Sequence, residues 1–195
     1  MNIAFFDMDG TITRRDSLIH FISYTHGYPR LGFGLLIQLP YLIAYKFGLY
    51  PNDKTKERFL KYFFGGWEKE RFDSIATQYS NHQINHIIRP QALERIKWHQ
   101  QQGDKTVVVT ASIENWLKEW CDRNGLELIS TQLFFEDNKV TGNFSGRNCH
   151  GEEKVRQIKE KYNLTQYDTV YAYGDSSGDR EMLQLADKPY FRYFS

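Results

Sequence analysis

The sequence predicts an α/β fold: a Rossmann-like parallel sheet with helices on both faces, and a small α-helical cap inserted after the first strand. Three observations carry this. Short apolar runs at residues 2–6, 105–109 and 168–173 each end in a polar residue or a Gly-Asp pair, the pattern of buried parallel strands whose carboxyl ends open onto a ligand edge. Helix-patterned segments follow the three runs at 17–24, 114–124 and 179–186, and two more, 89–102 and 151–162, lead into the second and third runs. Strands alternating with helices imply a parallel sheet. Third, residues 14–88 form one long, mostly helical stretch between the first and second runs. The expected division is a core of residues 1–13 and 89–195 and a cap of residues 14–88.

Taken in order, the first run (NIAFF) stops at Asp7. Asp16 precedes the helix expected from Ser17 and is placed to cap it. Residues 31–50 (LGFGLLIQLPYLIAYKFGLY) approach the length of a bilayer span, but Gln38, Pro40 and Lys46 interrupt them. The expectation is a buried or interfacial cap helix bent near Pro40, which leaves peripheral membrane contact through 31–50 open. The second run (KTVVV) ends at Thr110 and the third (DTVYAY) at Gly174-Asp175. Residues 134–144 read as a β-hairpin with Asp137-Asn138-Lys139 at its turn. Ligands of such sheets sit at the carboxyl ends of the strands, so Asp7, Thr110 and Asp175 are expected at one edge.

Composition bounds the rest. A chain of 195 residues suits one compact domain with a small insert, and 41% apolar with 25% charged residues is ordinary globular usage. A formal net charge of +1 gives no field that calls for nucleic acid. Two cysteines, Cys121 and Cys149, do not make a disulfide scaffold, and the N-terminal stretch has no basic region before its short apolar run. Both point to the cytoplasm. Nothing in the sequence speaks to oligomeric state.

Four motifs carry chemistry. Asp7-Met8-Asp9-Gly10-Thr11 places two carboxylates just past a strand, where one can attack phosphorus and the other handle the leaving-group proton. Gly10 can turn backbone N–H groups toward phosphate oxygens; the plain alternative is an Asp-Gly turn. Gly174-Asp175-Ser176-Ser177-Gly178-Asp179 sets carboxylates four apart at a strand end, a hard-oxygen set suited to magnesium, or simply a helix cap. Thr110-Ala111-Ser112 can hold phosphate oxygens or cap a helix. Lys154 can neutralise phosphate or sit in solvent. His82 and His86 lack a third ligand for zinc. Trp116 and Trp120 read as packing.

The four motifs in this order resemble those of the haloacid dehalogenase superfamily, and the long helical insertion and the hairpin before Lys154 resemble its phosphoserine phosphatase branch. That resemblance implies roles. Asp7 is the nucleophile and Asp9 the acid and base. Gly10, Thr110, Ala111 and Lys154 bind the phosphoryl oxygens. Mg²⁺ is held by Asp7, the Asp9 carbonyl and Asp175, with Asp179 in support. Asp16 and Arg58 match the branch's substrate-selecting acid and arginine, although Asp16 stands where the branch has Glu. The apolar 31–50 segment, with residues 148–154, is similar to a sub-branch that includes the C-type phosphatidylglycerophosphatase. The resemblance therefore implies a magnesium-dependent phosphomonoesterase with a phosphoaspartate intermediate, acting on a small or amphiphilic, phosphoserine-like or lipid-like substrate. A phosphotransferase with the same intermediate and a non-catalytic phosphate- or membrane-surface binding module remain alternatives.

Overall fold

Strand β1 (Ile3–Phe6) is buried along its whole length, and its side chains alternate between two cores. In this computed structural model, which describes residues 1–194, it is the centre of a five-stranded parallel sheet. The chain then runs through α1 (Ser17–Lys46), α2 (Asn52–Phe64), α3 (Lys69–Gln78), α4 (Pro90–Gln101), β2 (Lys105–Ile113), α5 (Lys118–Arg123) and β3 (Glu127–Thr131). A hairpin of β4 (Leu133–Glu136) and β5 (Lys139–Phe144) follows, then α6 (Glu152–Lys161), β6 (Val170–Gly174), α7 (Arg180–Leu185) and β7 (Lys188–Phe191).

The sheet order is β3-β2-β1-β6-β7. Ala4, Phe6 and Val108 face Ala92 and Ile96 of α4. Ile3, Phe5, Val107 and Val109 face Ile158 of α6 and Met182 of α7. Helices therefore cover both faces, as an all-parallel sheet requires. Because β1 lies between β2 and β6, the order reverses at its end. That crevice is where α/β sheets bind ligands, and Asp7 stands in it.

The chain leaves the sheet region at Thr13 and returns at Ile88, and the two passes are tied together. The Arg14 amide donates to the Ile87 carbonyl (2.8 Å) and the Arg89 amide to the Ile12 carbonyl (2.8 Å). Between them α1 and α2 pack side by side, and α2 lies against β5.

Several boundaries differ from expectation. β2 does not stop at Thr110 but runs to Ile113, with a register shift against β3 between Thr110 and Ile113. Such an irregularity re-aims side chains beside a site. The helix expected over 114–124 divides into a 3₁₀ turn, Glu114–Trp116, and α5. The bend in α1 is at Gly27 (φ 76, ψ 162), not near Pro40; Pro29 follows two residues on. Glycine tolerates the positive φ, and Pro29, which has no N–H to donate, fits the first turn of the helix that restarts after it, so the break forms there. The hairpin turn is Asp137-Asn138 alone, both at positive φ (47 and 60), with Lys139 already in β5. Strands β3 and β7 were not anticipated. Among the described residues no helix is long and apolar enough to cross a membrane.

Candidate active site

The site is assembled from four strand or helix ends. The Asp7 amide donates to the Tyr173 carbonyl of β6 (2.9 Å), which carries the β1 pairing one residue past the strand and fixes where its carboxylate emerges. Lys154, on the first turn of α6, is 1% exposed and threads back under the sheet edge. Its Nζ donates to Asp7 Oδ1 (2.5 Å), Asp179 Oδ1 (2.6 Å) and the Val109 carbonyl (2.8 Å). An ammonium has three donors, and all three are used. The solvated alternative for this lysine is excluded.

Asp179 is also buried and fully engaged. Its second oxygen accepts from the amides of Asp175 (3.2 Å) and Ser176 (3.0 Å) and from the Ser176 hydroxyl (2.8 Å). It therefore holds the loop after β6 in place while orienting Lys154. Asp175, from the same loop, accepts from the Thr11 hydroxyl (3.2 Å). Gly10 lies against it at φ 87, and a Cβ there would overlap the Asp175 carboxylate. Both the positive φ and the close approach require glycine.

Asp9 is held by both oxygens. One accepts from the Ser17 amide (2.7 Å) at the start of α1, the other from the Ser112 hydroxyl. The Ser112 and Ser17 hydroxyls meet at 2.9 Å, and Trp116 Nε1 donates to Ser17 Oγ (3.2 Å). Thr110 Oγ1, 1% exposed, accepts from the Ser112 amide (3.0 Å). The Ala111 carbonyl accepts from Lys56 Nζ (3.4 Å), which reaches in from α2.

The electrostatics follow from crowding. Burial pushes Asp7 up to about 8, assisted by the Asp179 charge and opposed by Lys154. Burial and the nearby Asp16 charge push Asp9 up to about 6 against the hydrogen bonds from Ser112 and Ser17. Burial and Asp179 also raise Asp175. Burial alone would raise Asp179 too, but Lys154 and Ser176 bring it below the usual carboxylate range. Burial opposes the charge on Lys154, yet its two carboxylates hold it above the usual range. Three carboxylates thus share one ammonium.

Oxygens of Asp7, Asp175 and Asp179 lie within 4.8 Å of one another. The donors are all hard oxygens and carry more negative charge than Lys154 balances, which fits a hard dication such as Mg²⁺.

Not every residue singled out in the sequence comes to this edge. Arg58 turns away: its Nε donates to Gln38 Oε1 (3.3 Å) and its guanidinium stacks 3.5 Å over Tyr41, both on α1. It clamps two helices together, and the cation that α2 offers the site is Lys56. Asp16 stays near enough for its charge to act on Asp9, but its carboxylate is exposed and caps α1, accepting from the Ile19 amide (3.0 Å). Cys149 is buried with its thiol pushed up to about 12 by burial, far from the thiolate form a nucleophile needs. Trp116 and Trp120 are buried, and His82 and His86 are exposed. Sequence reasoning missed Ser17, Ser112 and Lys56, and also Arg192, whose Nε donates to the Asp175 carbonyl (3.1 Å). Ser112 was in view as the third residue of its motif; Lys56 and Arg58 lie two apart on one helix, and only packing decides which faces the site.

Comparison with known proteins gives the family and the fold. Protein CicA of Caulobacter vibrioides is 34% identical over 191 residues, 97% of this chain and 85% of that one. A histidinol-phosphatase of Neisseria meningitidis is 26% identical, covering 96% and 88%. A Bordetella pertussis protein of unknown function shares the fold at a TM-score of 0.82 (21% identity, 95% and 86% covered). A phosphoserine phosphatase solved as a phospho-aspartyl intermediate analogue shares it at 0.63 (20% identity, 95% and 83% covered). The haloacid dehalogenase-like hydrolase family model matches residues 4–184, and the chain belongs to that family.

Proposed function

We propose that the chain is a magnesium-dependent phosphomonoesterase that works through a phosphoaspartate on Asp7, with residues 14–88 as a cap over the strand ends. The observation that carries this reading is the buried Lys154 ammonium. It holds Asp7 and Asp179 while an Asp175 oxygen lies within 4.8 Å of theirs. Phosphoryl transfer depends on positioning and charge neutralisation, and this cluster offers both. In the first step an Asp7 oxygen bonds to phosphorus, the phosphorus–oxygen bond to the leaving group breaks, and the leaving oxygen takes the Asp9 proton. In the second, Asp9 takes a proton from water, the water oxygen bonds to phosphorus, and the bond to Asp7 breaks. Phosphate leaves and both aspartates return to their starting states. Thr110, Ala111 and Gly10 flank the phosphoryl group and Lys154 offsets its charge. Bound among Asp7, Asp175 and the Asp9 carbonyl, with Asp179 in support, Mg²⁺ would neutralise and orient phosphoryl oxygens. Lys56 gives the cap a cation for an anionic substituent of the substrate, a role that Arg58, turned toward Gln38 and Tyr41, does not fill here.

The test is hydrolysis of p-nitrophenyl phosphate, expected to vanish with chelator and return with Mg²⁺, followed by a screen of phosphoamino acids, histidinol phosphate, sugar phosphates and lysophospholipid phosphates. Transfer to added alcohols faster than to water would make it a phosphotransferase, and no turnover on any phosphate would leave a binding module. Binding has its own readout. At roughly 100 times its Kd, Mg²⁺ is expected to add about 2.7 kcal/mol to unfolding stability. Asp175→Asn should fold and lose that increment; an unchanged increment would place the metal elsewhere.

Ser112→Ala tests the proton transfer. Losing a hydrogen bond to the Asp9 carboxylate should slow alkyl phosphates about 10- to 100-fold in kcat. p-Nitrophenolate leaves without a proton, so that substrate should slow far less, and Ser112→Thr should recover much of the loss. Equal slowing of both substrates would make Ser112 merely structural.

A further inference from the structure

Among the described residues, ten of the large apolar side chains left exposed fall between Tyr24 and Leu49, nearly all of them on α1. Their placement on the helix beyond Gly27 is not random. Leu31, Gly34 and Gln38 are buried toward α2, where Gly34 lies against the Phe63 ring and Gln38 meets Arg58. At 100° per residue the opposite half carries Phe33, Leu36, Ile37, Leu39 and Ile43 with Pro29, Pro40, Gly32 and Ala44. No charge lies within that half. Arg30 borders it on one side and Lys46 on the other, both exposed. No Asp or Glu occurs from residue 17 through residue 52.

We propose that this face docks flat on the surface of a bilayer containing anionic lipid. A soluble helix normally turns its polar face outward; this one turns an apolar face outward, and a contiguous exposed apolar patch marks an interaction surface. An apolar face bordered by a cation on each side is the arrangement of interfacial helices. Long basic side chains there lay their stems along the apolar edge and keep their charges at the headgroups. The charge pattern distinguishes a bilayer from a second copy of the chain. Two copies pairing through this segment would bring together Arg30 and Lys46 from both, with no carboxylate on the segment to meet them. Anionic headgroups supply that counter-charge. Among the described residues no helix is long and apolar enough to cross a membrane, so the contact proposed is peripheral. The whole chain's charge of +1 gives no sign of this; the acid-free segment does. α2 links the docked helix to the site, since Arg58 holds α1 while Lys56 reaches Ala111.

The test is flotation of the full chain with vesicles of phosphatidylcholine alone and of phosphatidylcholine with phosphatidylglycerol. The protein should float with the anionic vesicles and much less with the neutral ones. Phe33→Ser, Leu36→Ser and Ile43→Ser combined should weaken partitioning at least about tenfold, and Lys46→Gln about fivefold. All four side chains are exposed, so melting temperature and turnover of a soluble aryl phosphate should stay at wild-type values. The proposal is overturned if the wild type stays with the soluble fraction. It is also overturned if the triple variant floats as well as wild type, or if light scattering shows that the triple substitution converts a dimer to a monomer. None of these readouts depends on what the site hydrolyses.

Discussion

Asp7→Asn is expected to lower phosphomonoester turnover by about 10⁴-fold or more and to raise the stability of the metal-free protein. The first effect follows from chemistry: an amide oxygen is not a nucleophile toward phosphorus, and loss of the attacking group removes the covalent path altogether. The second follows from the charge count. Asp7 sits in a buried cluster where burial and Asp179 push it to about 8, so its ionised form is unfavourable in the folded chain. Asparagine keeps the shape, can offer its amide oxygen to Lys154 and removes one of three carboxylates that share one ammonium. Thermal unfolding in chelator and steady-state kinetics in Mg²⁺ measure the two effects separately. Opposite signs are what a site that gives up stability for reactivity should show. Retained turnover in this variant would remove Asp7 as nucleophile, and a large drop in stability would mean that its charge is structural.

How much of this could be read beforehand depended on whether the signal was local. β1, the first half of β2 and β6 are short apolar runs buried on both faces, and such runs show in any sequence. β3 (ELIST) and β7 (KPYF) are the two edges of the sheet, half covered, and they carry polar residues and a proline that a central strand could not hold. Their pattern is too weak to read alone. Thr110 reads as a strand end because the apolar run stops there, yet pairing with β3 carries β2 on to Ile113.

The same division holds in the site. Asp7, Asp9, Asp175 and Asp179 stand in short motifs directly after strands, so sequence alone brings them to one edge. Lys154 looks like any helical lysine in sequence. Only the packing of α6 beneath Val109 turns its Nζ toward two carboxylates. The hold on Asp9 combines Ser112 from β2 with Ser17 and Trp116 from flanking segments, and no single stretch of sequence contains it.

Lys154→Met is expected to be the most damaging single change, costing about 3–5 kcal/mol of stability and most of the turnover. Methionine fills nearly the same volume, so packing loss is small; what remains is Asp7, Asp179 and the Val109 carbonyl without their shared donor in a buried site. Lys154→Arg is not expected to rescue it, because a planar fork cannot place three donors where one ammonium nitrogen sits. The pH dependence has a definite sign. Without the ammonium, Asp7 and Asp179 both titrate above their unfolded values in the folded chain. The loss is then absent at low pH, where both are protonated in either state, and grows as pH rises through the ordinary carboxylate range. A double substitution separates structure from chemistry. Lys154→Met with Asp179→Asn removes one orphaned charge along with its partner and should recover part of the lost stability, because the two residues are in contact and their effects do not add. It should recover little turnover, since the charge that offsets the phosphoryl oxygens is still missing. Denaturant unfolding of the two singles and the double across pH, with kinetics on the same samples, makes the comparison. If stability returns and activity does not, Lys154 serves both the fold and the reaction; if both return together, its role in the reaction is only to hold Asp179 in place.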